Sequence, residues 1–143
     1  MELHLAMERN KVPDVHALDS FAAKRALPLE FPRDFTLARG SGFEPAKLLG
    51  DAAGVEIYRD ENLAELFKAY PTFERLAEHR NFGVSFRCGR RLSEVATALG
   101  LSVILVGDCE ATAYDPADDV PWLLGELQSQ FDGVIPLIRQ AKE

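Results

Sequence analysis

Hydrophobic and polar positions alternate with two different periods along this chain, and the switches between them lay out its elements. Leu3-His4-Leu5-Ala6-Met7 alternates in the manner of a strand and is stopped by Asn10-Lys11-Val12-Pro13. Val15, Leu18, Phe21, Ala22 and Arg25 then form one stripe of a helix capped by Asp14, running to about Ala26 and ended by Pro28. Leu29-Glu30-Phe31, bracketed by Pro28 and Pro32, is short enough to be only an edge strand. Residues 33–50 read as loop, with Gly40-Ser41-Gly42 a flexible turn and Phe43 an anchor pinning the loop to the core. Gly54 to Arg59 is a clear strand, and Leu63, Leu66, Phe67 and Tyr70 make a short helix capped by Asp60 or Asn62. Pro71 interrupts it, and Phe73, Leu76 and Ala77 add a further helical turn or an irregular connection. In Asn81 to Arg87, Phe82, Val84 and Phe86 share a face, so this strand and residues 54–59 form a natural antiparallel pair.

Two readings compete over Leu92 to Val106. Val103 to Val106 is β-branched enough for a buried strand, with Gly100 closing a shorter helix. Leu92, Val95, Ala96, Leu99, Val103 and Val106 nevertheless keep helical phase, while Leu101, Ile104 and Leu105 fill the other side. We favour one interior helix, capped at Gly107. Ala111 to Pro116 reads as a strand. A last helix then opens at Pro121 and carries Trp122, Leu123, Leu127, Phe131, Val134 and Ile135, with Pro136 kinking or dividing it and a terminal turn after it. The sum is an α+β domain spanning residues 1–143: a mostly antiparallel four- or five-stranded sheet with helices packed on one side.

Composition excludes several classes. At 143 residues and 47% hydrophobic content the chain buries a core without metals or disulfide staples. The first residues lack the basic and apolar regions of a secretory signal, and no apolar run reaches the ~20 residues that span a bilayer. A cytoplasmic location is the expectation. Cys88 and Cys109 stand 21 residues apart, in neither zinc nor CxxC spacing. Free thiols in a reducing compartment are expected, with pairing open if their elements lie side by side.

Charge changes the picture most. Residues 92–138 contain no lysine, arginine or histidine but eight acids, so the net charge of −7 arises there. Such a field repels nucleic acid and anionic membranes and attracts basic protein surfaces. Asp115, Asp118 and Asp119 lack the alternation of a calcium loop, so a solvated acidic surface and a protein-docking surface are the main readings. Arg87, Arg90 and Arg91 form the one basic cluster, expected to pair with those acids. His4, His16 and His79 sit in no ligand motif, and Ser41 lacks the setting of a nucleophile elbow. Trp122 is either a core residue of the last helix or an exposed anchor beside the acids.

The succession Gly42-Phe43-Glu44-Pro45, Gly54-Val55-Glu56-Ile57-Tyr58, Val84-Ser85-Phe86-Arg87, a long apolar helix and Ala113-Tyr114-Asp115-Pro116 resembles small bacterial immunity proteins. These neutralise toxins exchanged between competitors, including those delivered by type VI secretion. The resemblance implies a non-enzymatic inhibitor without cofactor that occludes the basic active site of a cognate toxin. It carries over no catalytic residue. The local charge argument marks Asp108, Glu110, Asp115, Asp118 and Asp119 for docking, with Tyr114 and Trp122 as aromatic anchors. The rivals are an adaptor that binds a secreted partner without inhibiting it, and an enzyme or small-molecule binder using a pocket between residues 40–54 and the strand near Arg87.

Overall fold

A computed structural model describes residues 1–38 and 41–142. Its strands are β1 (Glu2–Met7), β2 (Leu29–Glu30), β3 (Ser41–Leu48), β4 (Asp51–Arg59), β5 (Phe82–Arg87), β6 (Thr112–Asp115) and β7 (Val120–Trp122). The helices are α1 (Val15–Lys24), α2 (Leu63–Ala69), α3 (Pro71–Ala77), α4 (Leu92–Asp108) and α5 (Leu124–Lys142). All seven strands join one antiparallel sheet in the order β2-β3-β4-β5-β1-β6-β7. The fold is therefore α+β as expected, with more strands than the four or five anticipated.

The extra strands come from two segments where turn-forming residues mask an extended backbone. Residues 41–48, expected to be loop, are β3, and the hairpin to β4 closes with Leu49 and Gly50 at φ of 53° and 80°. Two consecutive positive φ values fit the twist of a two-residue hairpin. Phe43 is 52% exposed instead of anchored in the core; its ring lies over Gly54 on the neighbouring strand. Of the expected flexible turn, Ser41 and Gly42 belong to β3, and Gly40 lies outside the described residues. Pro121 and Trp122, placed by the sequence in the last helix, form β7 against β6.

The helices divide over both faces of the sheet, which corrects the one-sided expectation. Leu3, Leu5 and Met7 of β1 face a large core with Val55, Ile57, Phe82, Val84 and Phe86, roofed by α1, α4 and α5. The alternate positions turn the other way, and there Ala6 and Tyr114 meet Phe73 and Ala77 of α3 in a small second cluster. α4 is the interior helix favoured above, buried from Ala96 to Leu105. Gly107 does not cap it: the helix runs to Asp108, and a side chain at 107 would collide with the Arg25 guanidinium. Pro136 lies inside α5, which continues through it to Lys142 without the expected division.

Candidate functional site

The seven sequence-marked residues separate into two groups at opposite ends of β6, whose four residues span about 10 Å at a strand's rise per residue. At the end where β6 begins, Asp108 closes α4 and receives Arg25 of the α1 terminus through Nε at 2.6 Å and Nη2 at 3.2 Å. That two-pronged contact raises the Arg25 guanidinium above its ordinary value, the hydrogen bond to Asp108 outweighing burial. Glu110 pairs with Lys11, which also reaches Glu8 at 3.2 Å, while the Glu110 carbonyl accepts from Arg80 Nε at 2.9 Å. Both carboxylates are thus compensated within the fold. Their partners are Arg25 and Lys11, whereas Arg87 pairs with Glu2 at 3.8 Å and lies 4.9 Å over the Tyr58 ring. The expected pairing of the basic cluster with the acids of the last third is therefore corrected.

The other five gather on the β6–β7 hairpin. Asp115 holds the turn by accepting from the Ala117 amide at 2.9 Å and from Trp122 Nε1 at 3.3 Å. Asp119, at a φ of 55°, accepts from the Tyr114 hydroxyl at 2.6 Å and from Thr72 Oγ1 of α3 at 3.2 Å. The Tyr114 bond, then the Thr72 bond, holds the Asp119 carboxyl below its ordinary range, while burial and Asp119 push the Tyr114 phenol up to about 12. Tyr114 is buried, its ring stacked on Phe73 with centroids 5.3 Å apart, so it is a support of the hairpin and not an anchor for a partner. Trp122 is half-buried and packs against the main core from β7. Asp118 is exposed and makes no hydrogen bond or ion pair with the described residues, and Val120 beside it is 43% exposed. Among the described residues neither Asp115 nor Asp119 is paired to a cation at salt-bridge distance, although the Arg75 charge favours the Asp119 carboxylate.

A polar chain that the sequence reading passed over lies under α2 and α3. His4, 4% exposed, has Nδ1 2.6 Å from Ser85 Oγ, and Ser85 donates toward the Asp60 carboxylate at 2.9 and 3.1 Å. Register explains the meeting: His4 of β1 stands directly opposite Ser85 of β5 and Tyr114 of β6. Burial raises the Asp60 carboxyl against the Ser85 bond, and lowers His4 against the carboxylates of Asp60 and Glu2. The order differs from a hydrolytic triad, because the serine sits between histidine and carboxylate and the carboxylate does not orient the ring. The available signal was the single polar residue in each of two otherwise apolar strand segments, Leu3-His4-Leu5 and Val84-Ser85-Phe86.

Cys88 and Cys109 are both free and buried, and burial pushes each thiol up to about 11. They are poor nucleophiles. Among the described residues no three His, Cys, Asp or Glu side chains converge as a metal site, and no helix is long and apolar enough to cross a membrane. A groove of about 480 Å³ lies beside β2 and β3, lined by Phe31, Pro32, Pro45, Ala46, Lys47 and Ala52 among others. No known family model, curated protein or solved structure matches the chain.

Proposed function

We propose that this chain is a protein-binding inhibitor of the immunity type, engaging a basic surface of a cognate toxin through the β6–β7 hairpin and blocking the toxin's active site without chemistry of its own. The observation that carries the reading is the hairpin itself. It presents uncompensated carboxylates, Asp118 foremost, beside exposed Val120 and, just after β7, Leu123 at 62% exposure. Exposed apolar side chains set among charges of one sign suit a steered protein interface. Internal bonds from Trp122, Tyr114 and Thr72 preorganise the turn, which lowers the entropy lost on docking. β7 is the outer strand at this end of the sheet, but Pro121 lies in its middle and removes one donor. Recognition through side chains is therefore favoured over strand addition.

Asp108 and Glu110, already paired to Arg25 and Lys11, drop out of the docking set. The test is co-expression with the product of the adjoining reading frame, scored by growth and by co-purification. Protection with a 1:1 complex is the expected result. A complex that leaves the partner's activity intact would replace inhibition with an adaptor role, and absence of any complex would overturn the reading.

A further inference from the structure

Three aromatic rings enclose the side of the sheet where His4 lies: Tyr70 at 5.4 Å, Phe73 at 5.9 Å and Tyr114 at 6.4 Å between centroids. The hydrogen bonding assigns the tautomer. With Asp60 ionised, Ser85 gives its one hydroxyl proton to that carboxylate, and Nδ1 of His4 is then the donor across its 2.6 Å contact. Nε2 is then the unprotonated nitrogen. It is buried without a hydrogen-bond partner, 3.3 Å from Glu2 Oε1. A neutral histidine so placed has one place to accept a proton, and accepting it creates a cation beneath an aromatic cover.

We propose that His4 is a proton-operated latch: neutral, it lets the α2–α3 layer close over the sheet, and protonated at Nε2 it drives that layer open. The groups facing it are Glu2 of β1, Ser85 and Arg87 of β5, Asp60 between β4 and α2, Tyr70 between α2 and α3, and Tyr114 of β6. Asp60 and Glu2 favour the cation; burial and Arg87 oppose it, burial being the largest influence. The layer is thinly packed, since α2 buries no residue fully and α3 buries only Phe73 and Ala77. Opening it would remove Thr72 from Asp119 and Phe73 from Tyr114, loosening the hairpin from behind. The latch stands on this geometry alone, and only its consequence for docking rests on the function proposed above.

The experiment follows the imidazole resonances of His4, His16 and His79 and the amide exchange of α2, α3 and α4 in the free protein from about pH 5 to about pH 7.5. His16 and His79 are exposed, whereas His4 is buried. His4 is expected to titrate below the ordinary imidazole value, and α2–α3 opening, corrected for intrinsic exchange, to rise by up to about tenfold per pH unit as pH falls while α4 does not respond. His4→Asn should abolish that pH-dependent component. Should this variant not fold, Ser85→Ala, which removes the partner of Nδ1, must shift the His4 titration. A His4 that titrates at or above the ordinary imidazole value, layer amides indifferent to its titration, or a pH dependence that survives His4→Asn overturns the latch. Because no partner is present, these outcomes are independent of whether the chain inhibits a toxin.

Discussion

Gly54 shows how a single residue sets the local architecture. At a φ of 145°, a Cβ there would meet Phe43 Cζ at 2.6 Å and collide with the Glu44 carbonyl. Gly54→Ala should therefore destabilise the protein by about 2 kcal/mol or more in urea titration, since both the backbone conformation and the space are denied. Tyr114→Phe keeps the stack on Phe73 and removes the donor to Asp119, so a loss of about 1 kcal/mol is expected. Asp60 gives a pH-dependent prediction. Burial raises its carboxyl, so its favourable contribution is complete below its ordinary value near 3.9 and is lost as pH rises through the folded-state value. Asp60→Asn, which preserves an acceptor for Ser85, should accordingly be more stable than the wild type at pH 7. Thermal melts should show the difference shrinking toward about pH 4, where the wild-type carboxyl is itself neutral. A difference that grows on acidification would contradict the assignment.

Among the elements, α5 is the one held against its own propensity. Pro136 lies in the interior of α5, without the amide that would continue the ladder, and its side is exposed while Ile135 and Ile138 face the core. Packing on α4 overrides the local penalty. Pro136→Ala should raise stability by about 1–2 kcal/mol: about 3 kcal/mol of helix propensity is recovered, offset in part by a more flexible unfolded chain. The same competition explains which elements were legible beforehand. α1 and α2 announce themselves by stripe and cap, Asp14 and Asn62 accepting from the amides of Ala17 and Glu65 as the pattern implies. α4 was readable from helical phase although its composition allowed a strand. β3 and β7 were hidden because Gly42, Pro45 and Pro121 carry turn signals, and only cross-strand pairing makes those segments extended. That pairing is non-local and leaves no periodic trace in a short segment. The α2–α3 layer was readable as helix but not as a cover for the second face, since strands buried on both faces and on one share an apolar alternation when the second face holds His4, Ala6 and Ser85.

At the scale of the molecule, the charge asymmetry that dominates the sequence is reorganised by folding. Two of the marked acids are compensated by bases from the N-terminal quarter, so the field is narrower than a count along the chain implies. The three marked acids that remain, Asp115, Asp118 and Asp119, lie on the β6–β7 hairpin, and Asp118 is its unsupported tip. The sequence could rank acids by number only; partners such as Lys11, 99 residues from Glu110, and Arg25, 83 residues from Asp108, emerge from the tertiary fold. Stability should be least sensitive where docking is most sensitive. Asp118→Lys is expected to change the melting temperature by little, because an exposed charge without a partner contributes within about 0.5 kcal/mol. The most direct measurement is the dissociation constant of the complex with the basic partner found by co-expression, for wild type and Asp118→Lys, over a range of salt. The account predicts binding at least about tenfold weaker for the variant at low salt, with a shallower salt dependence. Equal affinity and an unchanged salt slope would contradict docking through the hairpin.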